Sequence, residues 1–172
     1  MPSLESAAGA HAERVFIGLG ANLGDAAQTL REAVGAIGRL AGTQVLNQSP
    51  TYLSAPVDAQ GPDFTNAVVE VRTTLSPLDL LAALQAIETE HGRQRPYRNA
   101  PRTLDLDLLL FGDRSIQSAT LTVPHPRLHQ RAFVLLPLLD LAPALSHPAL
   151  GALSSHLGAV ADQAIRRSGS VC

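Results

Sequence analysis

The chain has 172 residues, 45% of them hydrophobic, and a formal net charge of −2 at neutral pH. That length suits a single domain with one ordinary core, and the small acidic charge argues against non-specific binding to nucleic acid or to a membrane surface. No apolar run approaches the roughly 20 residues of a membrane helix, the N-terminus lacks a secretory signal, and a lone cysteine, Cys172, permits no disulfide within the chain, so a cytoplasmic monomer is expected.

Residues 1–13 read as a loose tail of small residues, and the domain proper is expected over 14–167. Val15–Leu19 is an apolar run ending at Gly20, a buried strand. Asp25 and Gln28 resemble a capping box, after which Leu30, Ala33, Val34, Ile37 and Leu40 keep helical spacing to Gly42. Val45–Tyr52 reads as a strand, and Ser54–Pro62, with Pro56 and Gly61, as a loop. Asn66–Thr73 reads as another strand. Ser76-Pro77 is an N-cap and first-turn pair, Leu80, Leu81, Leu84 and Ile87 form a buried stripe, and Gly92 is the stop. Gly92–Arg102 is a loop rich in Arg and Pro, Leu104–Phe111 a strand, and Gly112-Asp113 a turn. Ile116–Val123 carries weaker strand signals. Arg131–Leu141 is helical, with Pro137 as a kink or an early end, and Leu153–Arg167 reads as a final helix. The order strand–helix–strand–strand–helix–strand predicts an α+β fold, a ferredoxin-like split βαβ sandwich with a mostly antiparallel sheet and helices packed on it. Fold alone decides no function.

The chain contains no lysine, so all thirteen basic residues are Arg. A P-loop, which needs Lys on the phosphates, and Schiff-base chemistry, which needs an amine, are both excluded. Phosphate binding must use Arg forks, backbone N–H groups or a metal. In Pro101–Gly112 (PRTLDLDLLLFG) the two-residue period of a strand puts Asp105 and Asp107 on one face and Leu104, Leu106 and Leu108 on the other, with the aspartate Cα atoms roughly 6.5–7 Å apart. Two carboxylates in so apolar a run need compensation. On periodicity alone, ion pairs with Arg and a divalent cation serve equally well. Magnesium suits hard oxygen ligands and is held by one or two carboxylates plus substrate phosphates. Arg93, Arg95, Arg98 and Arg102 crowd the preceding loop, and guanidinium forks match phosphate oxygens. Joined to Asp-x-Asp, that loop favours a nucleotide–metal site.

Other motifs fail. Gly18, Gly20 and Gly24 are one residue too widely spaced for a dinucleotide fingerprint and read as a tight turn capping the first strand. His125 and His129 are an i,i+4 pair, but Pro126 and the missing glutamate argue against zinc. No nucleophile elbow is present.

At PRTLDLDLLLFG the sequence resembles the 6-hydroxymethyl-7,8-dihydropterin pyrophosphokinase family. The resemblance runs from about Val15 to Pro143, through Gly20-Ala-Asn-Leu, Tyr52-x-Ser54-x-Pro56, Asp63-Phe64-x-Asn66, Gly92-Arg93-x-Arg95, Leu121-x-Val-Pro-His125 and Arg131-x-Phe133. It implies transfer of pyrophosphate from ATP to the pterin hydroxymethyl group, with release of AMP, in folate biosynthesis. It implies two Mg²⁺ ions on Asp105 and Asp107, catalytic roles for Arg93 and Arg95, and ATP contacts from Gln85, Glu88, Arg98, Arg102, His125 and Arg131. Ser54, Val57, Phe64, Asn66 and Phe133 correspond to the pterin pocket. Phe64 and Phe133 would stack on a flat ring, and Asn66 would read its amide edge as both donor and acceptor. Three departures stand out: Asn99 replaces a Trp common before the Pro-Arg-Thr block, the loop between Arg95 and Arg98 is one residue short, and Phe64 replaces a Tyr.

Overall fold

The computed structural model describes residues 11–55, 62–92 and 104–170. Strand β1 (Glu13–Ala21) is buried from Val15 to its end, which suits the centre of a sheet covered on both faces. Helix α1 (Ala26–Gly38) starts where the Asp25 side chain accepts from the Gln28 amide, the cap that its motif announces. It ends at Gly38 rather than near Gly42, because a turn through Leu40 and Gly42 (φ +62°) leads into the next strand.

The single strand expected over 45–52 is two: β2 (Thr43–Gln48) and β3 (Pro50–Ser54), both antiparallel to β4 (Phe64–Thr73). The break falls at Ser49. Its hydroxyl accepts from the Val68 amide and its own amide donates to the Val68 carbonyl, each at 2.9 Å, so the side chain replaces one ladder bond. Helix α2 (Pro77–Gly92) follows, with Ser76 Oγ accepting from the Asp79 amide, and then strand β5 (Asp105–Phe111).

The main sheet has the order β10-β3-β4-β1-β5, where β10 is Ile165–Ser170 near the end of the chain, with β2 also on β4, and every pairing is antiparallel. Because β4 lies between β1 and β2, the first βαβ unit is split, as expected. Valines and leucines of β1, β4 and β5 meet Leu30, Ile37, Leu80 and Leu84 of α1 and α2 on one face. On the other, Phe16, Val68, Leu109 and Leu110 meet Val134, Leu135 and Leu138 of α3 (Ala132–Leu141). A bulge opposite Phe16/Ile17 explains the Leu108-Leu109-Leu110 run: Leu108 faces α1 and α2, whereas Leu109 and Leu110 both face α3.

Pro137 does not end α3, which continues to Leu141 with Pro137 buried. The weak signals over 116–123 form a hairpin, β6 (Ile116–Gln117) with β7 (Thr122–Val123). The short strands β8 (Ser146–His147) and β9 (Gly151–Ala152) pair next. The final helix expected over 153–167 is not formed. Leu153–Val160 is 3₁₀, burying Leu153 and Val160 against α3, and β10 (Ile165–Ser170) then pairs with the edge of β3. Local periodicity does not reveal an open sheet edge waiting for a strand.

Candidate active site

Cross-strand partners project side chains to the same face. One row across the sheet therefore reads Asp105 (β5), Gly20 (β1), Asn66 (β4) and Tyr52 (β3), and the next reads Asp107, Gly18 and Val68. This is the face that α3 covers only in part. Where α3 begins, a cavity of about 250 Å³ remains, lined by Gly18, Gly20, Ser54, Phe64, Asn66, Asp105, Asp107, Arg131 and Phe133 among others. Asp105 and Asp107 thus share a face and border open space, as the strand period requires.

The glycines are not the turn expected of them. Gly18 and Gly20 lie within β1, and the positive φ belongs to Gly24. Their role is to have no side chain. A Cβ on Gly20 would sit 3.2 Å from Asn66 Oδ1 and 3.8 Å from the Phe64 ring, and one on Gly18 would touch Leu109. The pair forms a trough between the aspartates of β5 and the amide of Asn66. The same two-residue period that pairs the aspartates pairs Gly18 with Gly20, so this signal was present in the sequence.

Asn66 is buried, and Nδ2 is its protein-facing end: it donates to Ser54 Oγ at 2.8 Å and lies 3.4–3.5 Å from the Phe64 and Tyr52 carbonyls. Those carbonyls accept only, so the amide orientation is set. Oδ1 is left over Gly20. Asn66 therefore offers a ligand an acceptor, not the donor–acceptor pair expected of it. Phe64 and Phe133 border the same cavity, and the Arg131 guanidinium lies 5.4 Å from the Phe133 ring centroid, in cation–π range.

A second cavity, about 380 Å³, is lined by Gln85, Glu88, Asp107 and His125, and by residues 118–122 of the β6–β7 hairpin. Asp107 is common to both cavities. Of that wall, the Leu121-x-Val-Pro-His125 block marks only Leu121 in the sequence. One Glu88 carboxylate oxygen accepts from the Leu106 amide at 2.7 Å, which holds α2 to β5. The His125 amide donates to the Leu109 carbonyl, and its Nδ1 accepts from the Arg127 amide. Burial lowers the His125 pKa; Asp107 opposes the shift and Arg131 and Arg127 reinforce it. A neutral ring accepting at Nδ1 carries its proton on Nε2. Arg131 borders the Asn66 and Phe133 cavity, which Asp105 and Asp107 also line. Val57, Arg93, Arg95, Arg98 and Arg102 lie outside the described residues.

Residues 16–143 match the family model described as 7,8-dihydro-6-hydroxymethylpterin-pyrophosphokinase. Curated relatives called 2-amino-4-hydroxy-6-hydroxymethyldihydropteridine pyrophosphokinase include one from Pseudomonas aeruginosa, 49% identical over 137 residues, covering 79% of this chain and 85% of the relative. One from Haemophilus influenzae is 46% identical over 134 residues, covering 77% and 84%. Among solved structures, wild-type Plasmodium falciparum HPPK-DHPS superposes with a TM-score of 0.68 at 16% identity over 86% of this chain. That likeness is one of fold, and this chain spans 44% of the solved chain's length. With a family match over most of its described core and close relatives matched along most of their length, the chain belongs to the 7,8-dihydro-6-hydroxymethylpterin-pyrophosphokinase family.

Proposed function

We propose that this chain transfers the pyrophosphoryl group of ATP to the hydroxymethyl oxygen of 6-hydroxymethyl-7,8-dihydropterin, releasing AMP, as a step of folate biosynthesis. The observation that carries the reading is the shared wall: Asp107 borders both the cavity holding Asn66, Phe64 and Phe133 and the cavity holding Gln85, Glu88 and His125. An acceptor that must meet a triphosphate needs two adjoining compartments with charge control at their junction.

In the first compartment Phe64 and Phe133 offer apolar ring faces for a flat heterocycle. Asn66 Oδ1, held by the Ser54 and backbone contacts of its amide nitrogen, accepts from a ring N–H. Gly18 and Gly20 leave room for the ring to approach β1. The family resemblance assigns Val57 to the pterin. In the second compartment Gln85, Glu88 and His125 face the nucleotide, with His125 donating from Nε2. Arg131 reaches the junction from the start of α3. The family resemblance assigns Arg93, Arg95, Arg98 and Arg102 to the triphosphate.

Asp105 and Asp107 fit two Mg²⁺ ions: both are hard oxygen donors, on one face, at the compartment boundary. Among the described residues no cluster of three or more His, Cys, Asp or Glu side chains is available to cage a metal, which suits a cation that takes its remaining ligands from phosphate and water. Bound there, magnesium supplies neutralisation of the triphosphate charge. The protein's own contribution is to orient the two substrates in line and to exclude water.

The chain is read as cytoplasmic and monomeric, with a single domain whose described strands reach from Glu13 to Ser170. Supporting this, no helix among the described residues is long and apolar enough to cross a membrane, and the lone cysteine suits a reducing compartment. The decisive assay supplies ATP, Mg²⁺ and hydroxymethyldihydropterin and reads the nucleotide product. AMP in step with pterin diphosphate is expected; ADP, or no pterin-dependent turnover, would sink the proposal.

A further inference from the structure

Resting on that functional reading, we infer that Gln163, in the segment beyond the family match, is a positioning residue that sets Arg131 and Phe133 in the pterin cavity. The family match ends at residue 143. Helix α3 begins without a local side-chain cap: Arg131, at its N-cap position, has extended backbone angles and no capping side-chain bond. The missing partner comes from 31 residues further along the chain. Gln163 Oε1 accepts from the Ala132 amide at 2.8 Å, and Gln163 Nε2 donates to the Gln130 carbonyl at 2.8 Å. Those two groups belong to the peptide units on either side of Arg131. One carboxamide therefore holds both planes that define the Arg131 backbone angles, much as a neighbouring strand would.

The same segment also braces the opposite wall. Two residues after Gln163, Ile165 pairs with Ser54, whose hydroxyl accepts from Asn66. A groove lined by Ser54, Arg131, Phe133, Gln163 and Ile165 runs between the two contacts. The Arg131–Phe133 and Ser54–Asn66 sides of the cavity are thus referenced to one short stretch, 163–165. Without the carboxamide, the 3₁₀ turn Leu128–Gln130 and α3 meet at an unfastened joint, and the two side chains that follow it into the cavity lose their fixed direction.

The test uses the full-length chain with three variants. Gln163→Leu keeps volume and removes both hydrogen bonds. Gln163→Glu keeps the acceptor for the Ala132 amide, and Gln163→Asn is too short to span both groups. Gln163→Leu and Gln163→Asn are expected to raise the pterin KM and dissociation constant about tenfold, with kcat changed less. Exchange of the Ala132 amide should speed up about tenfold, with the far-UV circular dichroism unchanged. Gln163→Glu should recover Ala132 protection but only part of the pterin affinity, because its second carboxylate oxygen cannot donate to the Gln130 carbonyl. Pterin affinity within twofold of the parent in Gln163→Leu would overturn the inference, as would equal losses of kcat in all three variants at unchanged KM. Should Gln163→Leu fail to fold, the Asn and Glu pair carries the same comparison. A parent chain that binds the pterin but releases no AMP would overturn the functional reading, while the dissociation constants and the Ala132 exchange would still decide the role of Gln163.

Discussion

Gly20 contributes no functional group, yet the cavity depends on it. A side chain there would meet Asn66 Oδ1 and the Phe64 ring, so Gly20→Val should raise the pterin KM by about tenfold or more while leaving the ATP dependence nearly unchanged; steady-state kinetics with each substrate varied separates the two. Asp107 carries the opposite kind of weight. Asp107→Asn keeps its shape but removes the charge at the wall shared by both compartments, and turnover should fall by about 10²–10³-fold or more at saturating Mg²⁺. Near-parental AMP release from that variant would contradict the assignment. Much of this was legible residue by residue, because the strand period alone places Asp105 with Asp107. The acceptor role of Asn66 was not legible, since it depends on carbonyls of Tyr52 and Phe64 that surround its nitrogen only after β3 and β4 pair.

Among the elements, α3 decides the shape of the site, and it is fastened to the sheet by polar contacts as well as by packing. The Tyr52 hydroxyl donates to Asp140 at the end of α3, and Arg167 from β10 donates to Asp140 at 2.9 Å and to the Tyr52 oxygen at 3.2 Å. Burial, then the Asp140 hydrogen bond, raises the Tyr52 pKa above its usual value of 10.0. A raised pKa means that the folded protein holds the phenol proton more tightly than the unfolded chain. The contribution is complete below pH 10 and is lost as pH rises through the folded value. Tyr52→Phe should therefore cost about 1–3 kcal/mol at neutral pH, read by denaturant unfolding, and the gap from the parent should narrow above pH 10. A gap constant across that range would show that the phenol proton is not what stabilises the contact. Helices α1 and α2 and strands β1, β4 and β5 were readable from their caps and periods. Strand β10 was not, because residues 165–170 form a strand only against the edge that β3 presents.

At the scale of the molecule, the sheet separates two apolar cores, and the one beneath α3 lends Val68, Val134 and Phe133 to the cavity wall. Leu135 is fully buried in that core, so Leu135→Ala should cost about 2–5 kcal/mol. Leu84→Ala on the α1–α2 side should cost a similar amount. If α3 packing sets the cavity, the Leu135 variant should also lose pterin affinity at temperatures where both variants are fully folded, and the Leu84 variant should not. Equal affinities, measured by calorimetry, would detach the site from α3 packing. Local covalent facts were settled by the amino-acid order alone: no lysine for a P-loop, aspartates on one strand face, caps at both early helices, and a split βαβ order. These follow from backbone chirality and side-chain chemistry, which act within a few residues. The tertiary structure alone decided that Gly18 and Gly20 floor a cavity, that Asp107 serves two compartments, that Arg131 borders the Asn66 side, and that Gln163 caps a helix 31 positions upstream. Each of those depends on which strands become neighbours, and that choice is made by burying two cores at once.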